Sequence, residues 1–407
     1  MEYDQDNKIK WFGIASIWFG GIVSVPALLI GSALISSLPF STALLAGFIG
    51  FVFVVFFMSL LSIAAVDRQK AIVPLASSSF GHLGANVVVG LVIGLSTLGW
   101  FAVQSNIAGA SFSKIVMEMS GQDIPAWASS IFWGIIMVLT AVFGFKYLKW
   151  LNYIAVPSII ILLAYGLYVT FQTHSFQEVL DFRPSGENGL SLLAAIGLSI
   201  GFISVGGVIS PDYNRFAASK KHAIWGSIMG IIPSALSLLA IGAILAVTQG
   251  TYDIVEIFAS LGFPFFAMSI LILATWTSNV MNVYSSGLAF TNLFQLPESK
   301  RSMVTLMVGL IGVLLAAAGL IDHFMEFITL LTITVTPVAG VVISDYFLSK
   351  SFTEESIRFN WKGIVSWGLG VTIMLLMTHE IKYVLGILGS AIFYWLFEKF
   401  IPQKSNL

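Results

Sequence analysis

Apolar runs of membrane-crossing length follow one another from one end of this chain to the other, separated by short polar breaks. A helix needs roughly 20 mostly apolar residues to cross a hydrocarbon core of about 30 Å. Read that way, the sequence predicts about twelve spans. They fall at 11–36, 40–66, 83–116, 126–145, 151–172, 189–217, 222–248, 260–291, 303–320, 325–347, 363–379 and 383–400. Of the 407 residues 57% are hydrophobic and only 10% charged, where a soluble domain carries about 25%. The chain is therefore expected to be an all-α polytopic protein of the lipid bilayer. The stretch "KAIVPLASSSFGHLG", Lys70–Gly84, is too short and polar to cross, and reads as a re-entrant cytoplasmic loop.

Sidedness follows from the bias of Lys and Arg toward the cytoplasm. With the N-terminus inside, sixteen of the 19 basic residues fall on that side, among them Lys8, Lys10, Arg68, Lys70, Lys146, Lys220, Lys221, Lys350 and Lys362. Lys114, Arg183 and Lys382 fall on the other. Tails 1–10 and 401–407 are thus expected in the cytoplasm and the protein in the cytoplasmic membrane. "MEYDQDNKIK" leads straight into the first span with no cleavage site, so no removable signal is expected. Asp67, Glu118, Asp123, Asp181, Asp253, Glu298 and Asp322 map to breaks or span ends, and no ionisable residue maps to the middle of a span. Intramembrane charges mark proton relays and ionic-substrate sites. Without them, a transported ion is left to neutral oxygens and the substrate is expected to be neutral; a carboxylate held at a helix N-terminus is the exception. Nothing in a net charge of -1 points to nucleic acid, no obligate protein partner is evident, and zero Cys leave no disulfide or thiolate metal site. HExxH and Walker patterns are missing, which argues against a membrane-embedded enzyme and against any cofactor beyond a coupling ion.

Two segments share an unusual order. "FGGIVSVP", Phe19–Pro26, and "SVGGVISPDYNRF", Ser204–Phe216, each run Gly-Gly, aliphatics, Ser, Pro. They lie five helices apart in spans of opposite direction. This predicts two inverted five-helix repeats, 11–172 and 189–348, followed by two further helices within 363–400. Matched Gly/Pro interruptions point to a transporter's central site. Gly20, Gly21, Gly206 and Gly207 are expected to break both helices, freeing carbonyls for a cation and N–H groups for a substrate. Close packing through small residues is the alternative.

Two other spans offer partners. In "LATWTSNVMNVYSSGLAF", Leu273–Phe290, Thr277 and Ser278 lie about one turn beyond Ala274, whose carbonyl with two hydroxyls suits a hard cation. Such hydroxyls also commonly bond their own helix. Asn279 and Asn282 read as ligands or as interhelical glue. In "STLGWFAVQSN", Ser96–Asn106, one face carries Thr97, Trp100 and Gln104. Trp100 is mid-span, away from the interfacial belt, and can stack a flat heterocycle whose edge Gln104 hydrogen-bonds. Phe202 reads as the opposite wall or as ordinary core.

On "GWFAVQSNIAG", "GFISVGGVISPDYNRF", "TWTSNVMNVYSSGLAFTNLF" and "ITVTPVAGVVISDYFL" the chain resembles the nucleobase–cation symporter-1 family, and within it the cytosine permeases, over nearly its whole length. The resemblance implies a twelve-helix, LeuT-like 5+5 inverted repeat with helices 1 and 6 broken. It implies sodium-coupled uptake of a nucleobase or related heterocycle. Carried over by position, sodium takes the carbonyls of Ala15, Trp18 and Ala274 and the hydroxyls of Thr277 and Ser278. The ring stacks between Trp100 and Phe202, with contacts from Gly201, Ser204, Gln104 and Asn279. Cytosine permeases have a glutamine where this chain has Thr97 and an asparagine where it has Ala274; Gln104 lies a turn after the tryptophan, as in hydantoin-type relatives. The amide pattern that reads cytosine's edge is therefore altered. A sodium-coupled amino-acid transporter of the same fold is the rival, and Trp100 facing Phe202 favours a flat ring over a zwitterion.

Overall fold

The structure, a computed structural model, describes residues 8–143, 148–184, 190–261, 263–349 and 357–401. Lys146, Gly189 and Lys350 lie outside the described residues, as do most of the two tails. In chain order the α-helices are α1 (Trp11–Ile22), α2 (Val25–Ile35), α3 (Phe40–Arg68), α4 (Ile72–Phe80), α5 (His82–Ser120) and α6 (Ala126–Phe143). Then come α7 (Leu148–Thr173), α8 (Phe176–Asp181), α9 (Leu192–Asn214), α10 (Lys220–Gln249) and α11 (Ile254–Ala259). The last are α12 (Pro264–Leu293), α13 (Arg301–Ala317), α14 (Phe324–Ser344), α15 (Trp361–Leu376) and α16 (Lys382–Phe400).

Ten helices among the described residues are long and apolar enough to cross a membrane, or eleven with α1 and α2 as one bent span. The sixteen residues of α15 fall short of that length, at about 1.5 Å of rise each. The loop at Lys70–Gly84 carries the nine-residue α4. The short helices α8 and α11 were not expected from the apolar pattern; each starts on a side-chain cap, Ser175 for α8 and Asp253 for α11.

The first span does break, though not at its glycines. Gly20 and Gly21 belong to the last turn of α1; the chain leaves helical geometry at Val23 and Ser24 and turns through 64°. Pro26 sets this position, because it is tolerated near the start of α2 but could not have continued α1. In the sixth span the expected interruption at Gly206–Gly207 is absent: α9 is helical from Leu192 to Asn214. Its irregularity is subtler. Pro211 has no N–H, so the Gly207 carbonyl, four residues earlier, loses its helical donor while the helix continues.

Helix α12 packs along α5, α9 along α3, and both α1 and α2 along α10, while α14 joins α9 to the pair α15–α16. Between α2 and α10 the backbones nearly touch. A Cβ on Gly31 would stand 2.1 Å from the Leu239 carbonyl, and one on Gly242 would stand 2.2 Å from that of Leu28. Small residues permit such crossings where lipid offers no hydrophobic drive between helices.

Both described chain ends lie on one side of the bundle. Ile9 pairs with the Phe216–Ala218 backbone. Lys220 reaches Asp67 at 2.7 Å, and the Tyr346 hydroxyl donates to the same carboxylate. Near the other chain end, Lys362 meets Glu398 at 3.2 Å. Lys362 is thus not a solvated loop cation but a buried one, 1% exposed; the start of α15 at Trp361 draws it under α16.

Asn214 ties four spans together on this side. Its Oδ1 accepts from Trp18 Nε1 at 3.0 Å, and its Nδ2 donates to Ser62 at 2.7 Å and to Ser227 at 2.9 Å. It is fully buried. Asn214→Leu should strand the Trp18 indole N–H, at a cost of about 1–3 kcal/mol per buried unsatisfied group. Thermal unfolding in detergent checks this; an unchanged midpoint would mean the network adds nothing to stability.

Candidate functional site

A cavity of about 440 Å³ opens between α1, α5, α9 and α12. Its wall includes Trp18, Gly20 and Gly21 from the α1 break, Thr97, Trp100 and Gln104 from α5, Phe202 and Gly206 from α9, and Ala274, Thr277 and Ser278 from α12. Most residues picked from sequence therefore converge on one space. A Cβ on Gly20 or Gly21 would meet nothing within 4 Å, so these glycines leave the cavity open. Among the described lining residues there is no Asp, Glu, Lys, Arg or His.

Trp100 sits at the head of the cavity in an aromatic cluster. It meets Phe202 at 5.8 Å, Phe324 at 6.0 Å and Phe327 at 5.3 Å between ring centroids, each at a steep angle of 71–81°. This corrects the expectation of two parallel walls. A ring sandwiched between Trp100 and Phe202 needs a gap of roughly 3.5–4 Å on each side, and the edge-to-face contact leaves none in this arrangement. Beyond the cluster lies a second cavity of about 680 Å³, whose wall includes Phe324, Asn106, Asp253, Asp322 and Glu326. The Trp100–Phe324 contact stands between the two spaces.

The α12 oxygens gather as expected. Thr277 Oγ1 donates to the Ala274 carbonyl at 2.9 Å, and Ser278 Oγ lies 3.2 Å from the same oxygen. Ser278 also donates to Gln104 Oε1 at 2.5 Å, joining the residues read as ion ligand and as ring reader. Ala15 is not on the cavity wall. The carbonyl of Ala15 would be 2.6 Å from a Cβ on Gly230, so this face of α1 is packed onto α10. Trp18 lines the cavity with its ring, which lies edge-on to Tyr213 at 5.5 Å.

Three residues expected to touch substrate lie outside the wall. Asn279 is fully buried, and its Nδ2 donates to the Phe101 carbonyl at 3.0 Å and to Ser105 at 2.9 Å. It is glue between α12 and α5. Ser204 is buried and donates to the Gly201 carbonyl at 2.9 Å. Gly201 lets α9 cross α14, since its Cβ would fall 2.2 Å from the Ile328 carbonyl. Thr97 does line the cavity, with its hydroxyl bonded to the Ile93 carbonyl at 2.9 Å. The wall also contains Asn282, read from sequence as ligand or glue, together with Ser285 and Ser24, which were not singled out. The signal for Ser285 was available: Ala274, Ser278, Asn282 and Ser285 follow one helical stripe at steps of four, four and three residues.

This fold and this cavity define an all-α membrane transporter of the LeuT-like 5+5 inverted-repeat class. Residues 4–396 match the family described as permease for cytosine/purines, uracil, thiamine, allantoin. The chain belongs to that family, within the nucleobase–cation symporter-1 transporters, and is a permease rather than an enzyme. It is 26% identical over 404 residues to the cytosine permease of Escherichia coli (strain K12), covering 97% of this chain and 90% of the relative. To the hydantoin permease of Microbacterium maritypicum it is 25% identical over 432 residues, covering 96% and 86%. The inward-facing conformation of Mhp1 superposes with a TM-score of 0.83 at 19% identity, over 98% of this chain and 94% of that one.

Proposed function

We propose that the chain is a sodium-coupled symporter that carries a neutral planar heterocycle, cytosine or a related nucleobase or hydantoin-like ring, into the cell by alternating access. Its repeats would be 11–172 and 189–348, and both termini would face the cytoplasm of a cell bounded by the membrane it crosses. The observation that carries this reading is one uncharged cavity bearing an indole plane, a side-chain amide and a carbonyl with two hydroxyls. A charged ligand would lose its hydration there with no counter-charge in return. The oxygens of Ala274, Thr277 and Ser278 suit a hard monovalent cation. Trp18 lies on the cavity wall and would add a further carbonyl, whereas Ala15 is packed onto α10 away from it. Two cavities divided by the Trp100–Phe324 contact fit a site reached from each side in turn. Two relatives, a cytosine permease and a hydantoin permease, favour the same substrate class.

The test is uptake of labelled cytosine, uracil, hydantoin and leucine into proteoliposomes, driven by a sodium gradient or by a pH gradient in sodium-free buffer. Uptake of leucine and of no ring would overturn the substrate class, and equal uptake on protons alone would overturn sodium coupling. Thr277→Ala should raise the sodium concentration for half-maximal uptake about tenfold or more, as expected for losing one ligand worth about 1–3 kcal/mol. An unchanged sodium dependence would remove Thr277 from the ion site.

A further inference from the structure

The Ser278 hydroxyl has three acceptors in reach: Gln104 Oε1 at 2.5 Å, the Ala274 carbonyl at 3.2 Å and the Thr275 carbonyl at 3.3 Å. It has one proton and two lone pairs, so it donates to one of them at a time. Gln104 is 3% exposed and lines the cavity beside Trp100. The two ends of its amide differ: Oε1 accepts and Nε2 donates. Whichever end turns to the cavity decides which ring edge is recognised.

We propose that Ser278 is a positioning residue through which the coupling ion sets the orientation of the Gln104 amide. Sodium would then fix the hydrogen-bonding character that the cavity offers its substrate. This rests on the sodium and ring reading given above. Without a cation, Ser278 Oγ has two options. It can donate to Gln104 Oε1, or it can back-bond its own helix carbonyls while accepting from Gln104 Nε2. A cation held by the Ala274 carbonyl and Ser278 Oγ takes one lone pair of the hydroxyl, its charge disfavours an incoming N–H at the other, and it repels the hydroxyl proton from Ala274. The proton then turns to the nearest acceptor, Gln104 Oε1. Nε2 is thereby committed to the cavity as a donor, favouring a ring that offers a carbonyl at that edge. By linkage the same ring must raise sodium affinity by the same factor. Because α5 and α12 pack along each other, the two side chains keep this contact on one wall.

Calorimetric titration of the purified full chain with cytosine, uracil and hydantoin, at increasing sodium with potassium as replacement, tests the route. In the unmodified protein saturating sodium should tighten the best-bound ring by about tenfold, within the 5–150-fold typical of coupled sites. Ser278→Ala and Thr277→Ala should both need more sodium. The plateau separates them: Thr277→Ala should recover the full enhancement at saturating sodium, while Ser278→Ala should stay within about twofold of its potassium value. Ser278→Thr, which keeps the hydroxyl, should restore the plateau. Gln104→Asn, too short to reach Ser278, should bind rings without a sodium response. A Ser278→Ala plateau equal to that of the unmodified protein overturns the proposal. So does sodium that raises the melting temperature of the unmodified protein without tightening any ring. If sodium alone does not stabilise the protein, or no ring binds, the sodium and ring reading fails and takes the Ser278 route with it.

Discussion

Trp100→Ala is expected to weaken binding of every planar ring at once, by about tenfold to a hundredfold. Losing one base–aromatic stack costs roughly 1–3 kcal/mol, and about 1.4 kcal/mol corresponds to tenfold in affinity. The effect should be general because an aromatic face stacks on any flat ring, whatever its edge pattern. Stability must be separated from binding, since Trp100 also fills the space between Phe202, Phe324 and Phe327. Phe324→Ala supplies that control. It opens the same cluster from the side of the second cavity and leaves the indole in place. Trp100→Ala and Phe324→Ala should lower the melting temperature by comparable amounts, but only Trp100→Ala should lose the stabilisation that cytosine, uracil or hydantoin confers. Ring-induced stabilisation that persists in Trp100→Ala would mean that the ring stacks elsewhere, with Phe202 the next candidate.

The part of this site that is legible in the sequence lies within single helices. Thr97, Trp100 and Gln104 share a face because steps of three and four residues fix it, whatever surrounds the helix. The same rule brings the Ala274 carbonyl to Thr277 and Ser278. What spacing within one helix does not contain is the neighbour that covers its other faces. Asn279 is one residue from Ser278 and so about 100° around the helix; that rotation carries it out of the cavity and onto Ser105 and Phe101. Ala15 is lost to the site for the same reason, since α10 offers Gly230 opposite it. The break in the first span is legible as a break, but its position is set by Pro26 rather than by the glycines. Span limits follow the apolar runs closely because each helix in lipid must satisfy its own backbone. The capped helices α8 and α11 carry only six residues each, too few for an apolar period to show.

Gly206 and Gly207 are neighbours in sequence with opposite surroundings, and substitutions at the two are expected to fail in opposite ways. A Cβ on Gly207 would stand 2.7 Å from both Phe57 and Val54. The side chains it would strike are buried in α3, which packs along α9, so nothing nearby has room to yield. Gly207→Val should therefore be destabilising by at least the roughly 1–3 kcal/mol usual for overpacking, and little folded protein should survive extraction. At Gly206 the only atom within 4 Å of a new Cβ is Trp18 Cζ3, at 3.5 Å, an ordinary contact. Gly206→Leu should fold with an unchanged melting temperature. Its side chain, however, would extend into the cavity between Trp18 and Trp100, where the substrate is proposed to sit. Uptake should fall to background, and ring-induced stabilisation should vanish with it. Gly206→Ala, adding one methyl group in free space, should keep much of both. If Gly206→Leu transports normally while remaining folded, the cavity between α1 and α9 is not the substrate's path. If Gly207→Val proves as stable as the unmodified protein, then α9 and α3 are free to separate at their closest approach. That freedom would return the glycine pair to the helix break expected from its sequence.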